Sequence, residues 1–134
     1  MNKSFYSCLD PKVSAPQPEQ HALIRLMAKN NNGKIVFYGA EDYFFSTTQP
    51  FILSKLRRTP NLDGVIFFTL NQFCHAGNLN LKLMKDIILL KLSIHFARED
   101  ISIFNTVDLY ENYVQLRSYA HTQQEGFALP NISD

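Results

Sequence analysis

Hydrophobic positions along the chain alternate between two periods, and this alternation predicts strands separated by helices. Short apolar runs typical of buried strands occur at 5–9, 34–38, 65–68 and 94–97. Between and after them, apolar residues recur at helical spacing over about 18–29, 50–58, 81–92 and 107–119. A βαβαβαβα order is typical of a parallel sheet with helices on both faces.

The predicted fold is therefore α/β, with one mostly parallel sheet of about four strands flanked by helices. Right-handed crossovers favour a flavodoxin-like strand order, 2-1-3-4. We expect a single domain over residues 1–120 and a loosely ordered polar tail over 121–134. Gly33 is predicted to be the left-handed cap of the first helix, and either Asn78 or Asn80 could cap the third.

Composition narrows the class of partner. The net charge is +1, with 46% hydrophobic and 19% charged residues among 134, which is ordinary for a globular protein. The densest basic cluster, Lys55, Arg57 and Arg58, is interpreted as a solvated helix end that complements the helix dipole. Nucleic-acid binders usually carry a larger basic face, so we expect no nucleic-acid partner.

We also expect neither a signal peptide nor a membrane-spanning segment. No apolar run approaches the roughly 20 residues that a membrane-spanning helix needs, and the first residues lack the apolar core of a signal peptide. Cys8 and Cys74 show no spacing typical of zinc sites or disulfide frameworks. We therefore expect a cytoplasmic protein that does not insert into membranes.

Polar residues follow each predicted strand, at the edge where open α/β sheets bind their ligands. His75, Asp10, Asp42 and Glu99 are the candidates for proton transfer, and His75 is preferred because its ordinary pKa lies near neutrality. The candidate substrate-binding residues are Gln72, Asn71, Thr69, Tyr43, Glu41 and Arg98.

Plainer interpretations of these residues stay open. His75 could equally be a solvated loop histidine, Cys74 is better interpreted as a buried inert thiol, and His95 as a hydrogen-bonded structural histidine. No pair of residues has metal-ligand spacing, and no phosphate-binding glycine motif or nucleophile elbow occurs. No metal is expected, and the cofactor is unknown.

The strand that ends in Leu70-Asn71-Gln72-Phe73-Cys74-His75 resembles the third strand of the catalytic domain of serine recombinases (resolvases and invertases). In that family this strand ends in Leu-Asp-Arg-Leu-x-Arg, and both arginines are missing here. The first strand has Asp10 where the resemblance would place the nucleophilic serine, and Cys8 where it would place an arginine. The resemblance thus implies a resolvase-like fold without recombinase chemistry.

A second resemblance covers residues 5–119. Its elements are Tyr6 and Pro11, the 18–20 helix start, 40–43, 63–64, Leu70-x-Gln72, 94–99 and 111–112. Their order and spacing resemble the sporadic carbohydrate cluster proteins of bacterial surface-polysaccharide gene clusters. Two positions depart from that family: Leu9-Asp10 replaces Ser-Arg, and Asp42-Tyr43 replaces Glu-Tyr.

Two functions follow as hypotheses. The first is an accessory protein of lipopolysaccharide or capsule biosynthesis that binds or modifies a sugar or nucleotide-sugar intermediate in the strand-end crevice. The second is a non-catalytic oligomeric scaffold, for which the aromatic residues 43–45 and the last helix would form the contact surface of a homodimer. The sequence leaves open whether the protein is an enzyme.

Overall fold

The computed structural model describes residues 2–41 and 51–132, with side chains through residue 122. Its strands are β1 (Lys3–Leu9), β2 (Gly33–Ala40), β3 (Gly64–Phe67), β4 (Cys74–His75), β5 (Asn78–Leu79), β6 (Ser93–Phe96) and β7 (Ile101–Ile103). Its helices are α1 (Gln17–Asn30), α2 (Phe51–Arg58), α3 (Leu81–Leu89), α4 (Thr106–Glu111) and α5 (Tyr113–Ile132), with a 3-10 turn at Leu70–Phe73.

The main sheet has the order β2-β1-β3-β6-β7. The first four of these strands run parallel, and β7 pairs antiparallel with β6. The predicted α/β class and strand order 2-1-3-4 are confirmed, since β6 is the predicted fourth strand. The short strand β7 and the separate β4–β5 hairpin were not predicted, because two or three residues are too few to establish an alternating pattern.

Both faces of the central strands are covered by helices, so β3 is buried at every position. Phe5 and Ile66 pack on one face against Ile24 of α1. On the other face a larger core surrounds Phe67 and Phe96. This second core packs α2, α3 and α5 onto that face of the sheet.

Local sequence and side-chain packing together determine the residues at the ends of α1 and α3. The left-handed residue after α1 is Asn32, with φ of 61°, and the prediction of Gly33 was wrong. Gly33 is required for another reason, because a Cβ there would collide with the ring of Phe5. Asn80 caps α3 by accepting a hydrogen bond of 3.1 Å from the Leu83 N–H.

The predicted last helix is divided at Asn112 into α4 and α5. Helix α5 then continues to Ile132, so the domain boundary expected at residue 120 stays a prediction. Over the described ranges, 2–41 and 51–132, none of the helices combines the length and apolar character needed to cross a bilayer.

Candidate functional site

A buried carboxylate organises the carboxyl ends of β3 and β6. The Glu99 side chain, 8% exposed, follows β6 and accepts hydrogen bonds from the Thr69 hydroxyl at 2.7 Å and the Leu70 N–H at 2.9 Å. Its Oε2 atom also accepts from Tyr119 Oη at 2.8 Å and from Arg98 Nε at 3.1 Å. Four donors around one carboxylate hold it in place.

Around this carboxylate, three side chains from separate elements converge. Arg98 Nη2 donates to the Tyr119 hydroxyl at 3.0 Å, and that hydroxyl lies 3.0 Å from Asn71 Oδ1. Because the hydroxyl has one hydrogen, it can donate to Glu99 or to Asn71 at a given moment. We call Thr69, Asn71, Arg98, Glu99 and Tyr119 the carboxyl-end cluster.

The electrostatics of the cluster favour binding over proton transfer. Burial, and then the Glu99 carboxylate, raise the pKa of Tyr119 to about 12. Burial alone would lower the pKa of Arg98, but the bonds to Tyr119 and Glu99 outweigh it and raise that pKa above its ordinary value. Both groups therefore keep their protons at neutral pH.

Arg98 is the most accessible charged group of the cluster, with its side chain 37% exposed. Its guanidinium lies 5.9 Å from the centre of the Phe68 ring, a cation–π distance that limits its movement. The described bonds use its Nε and Nη2 atoms, whereas a guanidinium offers five N–H donors in all. The remaining donors can bind an oxygen-bearing ligand.

Gln72, predicted to hold substrate, instead joins three strand ends. Its Nε2 donates to the carbonyl oxygens of Leu9 at 3.1 Å and Glu41 at 2.7 Å. Its Oε1 accepts from the Thr69 N–H at 3.0 Å and completes a capping box around the 3-10 turn. With 1% exposure, Gln72 shapes the crevice and cannot meet a ligand without displacing main-chain bonds.

Two predicted acids lie at the ends of β1 and β2. Asp10 is 6% exposed, and its Oδ1 accepts from the Lys12 N–H at 3.0 Å. The Asp10 main chain is held on both sides by the Gln20 amide, at 3.0 Å each. Glu41 Oε2 accepts from the Phe51 N–H at 3.1 Å and so joins the end of β2 to the start of α2.

His75 lies on the β4–β5 hairpin, where it is exposed and opposite Asn78. This position agrees with the interpretation of His75 as a solvated loop histidine. Its role in proton transfer stays a prediction. Asp42 and Tyr43, and the whole aromatic group 43–45, lie outside the described residues.

Neither cysteine has the character of a nucleophile. Burial, and then the Glu99 charge, raise the pKa of Cys74 to about 12, and its Sγ lies 3.3 Å from the Leu70 carbonyl oxygen. Burial and the Glu41 charge raise the pKa of Cys8 to about 12 as well. Thiols in such surroundings stay protonated and inert. Among residues 2–41 and 51–122, no three His, Cys, Asp or Glu side chains group as metal ligands.

Comparison with known proteins extends the fold assignment. The chain matches no protein-family model, and no curated protein resembles it significantly. Among solved structures it is similar to the crystal structure of a resolvase family site-specific recombinase from Streptococcus pneumoniae, with a TM-score of 0.60 and 15% identity. The match covers 98% of this chain and 95% of that chain, so the fold is resolvase-like throughout.

Proposed function

We propose that the protein is an accessory factor of bacterial surface-polysaccharide biosynthesis that binds a sugar or nucleotide-sugar intermediate at the carboxyl-end cluster. The observation that carries this proposal is the convergence of Arg98, Tyr119 and Asn71 around the buried Glu99 carboxylate. The resemblance to the sporadic carbohydrate cluster proteins supports a role in surface-polysaccharide biosynthesis. The geometry of the cluster supports a sugar or nucleotide sugar as the ligand.

The chemistry of the cluster matches neighbouring hydroxyl groups on a sugar ring. A guanidinium supplies paired N–H donors, and a tyrosine hydroxyl both donates and accepts hydrogen bonds. An asparagine amide donates through its nitrogen and accepts through its oxygen. Because Glu99 is saturated with donors, its role is to position Arg98 and Tyr119. Arg98 would also bind the diphosphate of a nucleotide sugar through paired hydrogen bonds.

DNA recombination is not part of the proposal. The position of the recombinase nucleophile is occupied here by Asp10, which is buried and bonded to the main chain. Gln72 takes the place of one of the missing arginines and is committed to three strand ends. The serine hydroxyl of the recombinase reaction is therefore missing, and an amide cannot supply the cationic stabilisation that phosphoryl transfer needs.

The first test is ligand-induced stabilisation with a panel of nucleotide sugars. A ligand present at about ten times its dissociation constant should raise the melting temperature by roughly 5 °C. Arg98→Gln should lose most of this shift, because it removes the guanidinium fork. Arg117→Gln is the matched control: Arg117 is an exposed arginine on α5 that bonds Tyr113, and this variant should keep the full shift.

The panel has a clear negative outcome. Unchanged melting with every nucleotide sugar, or an equal loss in the Arg98 and Arg117 variants, contradicts the proposal. His75→Ala separates binding from chemistry: if His75 moves protons, this variant keeps the melting shift and loses turnover.

We propose the oligomeric scaffold as the alternative, because α4 and α5 expose an apolar row. Val107, Tyr110 and Val114 are 61%, 62% and 74% exposed, and they lie three and four residues apart along the chain. Val107 and Tyr110 therefore lie on one side of α4, Val114 follows at the start of α5, and exposed apolar patches are common at protein interfaces.

Light scattering tests this alternative. The protein should be a dimer at about 50 µM, and Val114→Glu should weaken the dimer by at least about tenfold, because it buries a charge in the contact. Leu89→Glu is the matched control, since Leu89 is 73% exposed on α3 and should leave the dimer intact. A wild-type protein that is monomeric at this concentration contradicts the scaffold.

A further inference from the structure

A groove lies along β2, the last strand at its edge of the main sheet, and the carboxyl-end cluster does not include it. It has a volume of about 420 Å³, within the range of about 300–1,000 Å³ typical of small-molecule sites. We call it the β2 groove, and its lining residues are Val36, Phe37, Lys55, Arg58, Thr59 and Pro60.

A β-bulge aims two successive side chains of β2 into this groove. Phe5 pairs with Ile35, but the next residue, Tyr6, pairs with Phe37, so Val36 is an extra residue in β2. In a regular strand, neighbouring side chains point to opposite faces. The bulge breaks that alternation, and consequently both Val36 and Phe37 line the groove, 42% and 50% exposed.

The Phe37 ring is held in place from behind. It stacks on Tyr6, with ring centres 5.4 Å apart and planes inclined by 12°. Tyr6 is 1% exposed and lies against Gly39, where a Cβ would be only 2.5 Å from the tyrosine oxygen. A fixed, half-exposed aromatic ring is a ready surface for a second flat ring.

The groove also carries positive charge. Lys55 and Arg58 lie three residues apart on α2, so they share one side of the helix, and no acid lines the groove among residues 2–41 and 51–122. The helix dipole accounts for cations at this end of α2, but not for their place beside Phe37. Arg57, in the same turn, does not line the groove.

We propose that the β2 groove binds a nucleoside phosphate. The base would stack on Phe37, and the phosphate would be bound by Lys55 and by the paired donors of Arg58. A free nucleotide and the nucleotide portion of a larger compound share this chemistry. The inference does not depend on the sugar site, which lies at the ends of β3 and β6.

An NMR titration of the labelled protein with uridine monophosphate and adenosine monophosphate tests the proposal. At least one nucleotide should give saturable shifts at the amides of Val36, Phe37 and Thr59, with a dissociation constant below about 1 mM. Inorganic phosphate and the free nucleosides should each bind at least about tenfold more weakly, because each lacks one half of the recognised group.

Matched variants assign the contacts. Arg58→Gln and Phe37→Ala should each weaken binding by at least about fivefold, and Arg57→Gln should change it less than about twofold because Arg57 lies outside the groove. Phe37→Trp keeps a stacking surface and should keep binding, which separates lost stacking from a damaged fold.

Three results would overturn the proposal: no saturable shift in the groove at about 10 mM nucleotide, equal losses in the Arg57 and Arg58 variants, or phosphate binding as tight as that of the nucleotide. Much tighter binding of a single-stranded oligonucleotide would also overturn it in favour of a nucleic-acid surface. Arg98→Gln should leave the groove shifts unchanged, so failure here is distinguishable from failure of the sugar site.

Discussion

Replacing Gln72 by alanine is expected to lower the free energy of unfolding by about 3–5 kcal/mol. The change opens a cavity and removes hydrogen bonds from several buried main-chain groups. The N–H of Thr69 and the carbonyl oxygens of Leu9 and Glu41 would each lose the bond to Gln72, and the Leu9 oxygen would keep its bond from the Glu41 N–H. Urea unfolding at pH 7 measures the change. Gln115→Ala, at an exposed position of α5, is the control and should stay within about 0.5 kcal/mol of wild type.

Gln72→Glu gives a sharper test of the same network. The introduced carboxylate would face two carbonyl oxygens, so its pKa in the folded protein should be raised above the unfolded value of about 4.3. The protonated acid can donate where the amide did. The stability of this variant relative to wild type should therefore recover as pH falls from 7 to 5. A loss below about 1 kcal/mol for Gln72→Ala would contradict the structural role.

The second large effect is a loss of folding stability at low pH that arises from His95. This residue is fully buried on β6, with its ring nitrogens 2.8 Å from the Ser93 hydroxyl and 2.7 Å from the Ser102 hydroxyl. Burial, and then the positive charge of Lys3, lower its pKa to about 4. The ring is neutral in the fold, as expected of a structural histidine.

The sign of the pH dependence follows from that shift. Between pH 6.5 and 4 the unfolded chain binds a proton at this residue and the folded chain does not, so stability falls as pH falls. From pH 7 to pH 4.5 the loss from this one group should be about 2 kcal/mol. Urea unfolding at a series of pH values measures it.

His95→Asn should lower stability at pH 7 but flatten the decline below pH 6.5, because the buried titrating group is gone. If the His95 variant and wild type decline in parallel, another group causes the acid sensitivity.

Particular residues show why the sheet could be predicted and parts of the cluster could not. Strand β3 is an unbroken apolar run, and that pattern alone indicates a central strand. The strand-end rule also anticipated that Asn71, Arg98 and Glu99 would lie together. Tyr119 was missed because it follows Glu99 by 20 residues, and its position depends on how α5 packs.

The sequence carries signals for the structural positions of Gln72 and Tyr119. Thr69 and Gln72 form the Thr-x-x-Gln pattern of a capping box, which indicates a structural amide rather than a ligand for substrate. Tyr119 lies between Leu116 and Ala120, both buried, so helical periodicity alone places it on an inward face. The bulge at Val36 leaves no such signal, because it depends on pairing between strands.

The place of β1 in the middle of the sheet has a consequence for synthesis on the ribosome. This first strand pairs with β2, about 30 residues later, and with β3, about 60 residues later. The β1–α1–β2 unit can therefore form early, but one edge of β1 stays unpaired until β3 leaves the exit tunnel. Such non-local parallel pairing folds slowly, and exposed strand edges attract other chains. The interval between the emergence of β2 and that of β3 is the period in which the nascent chain most needs protection from aggregation.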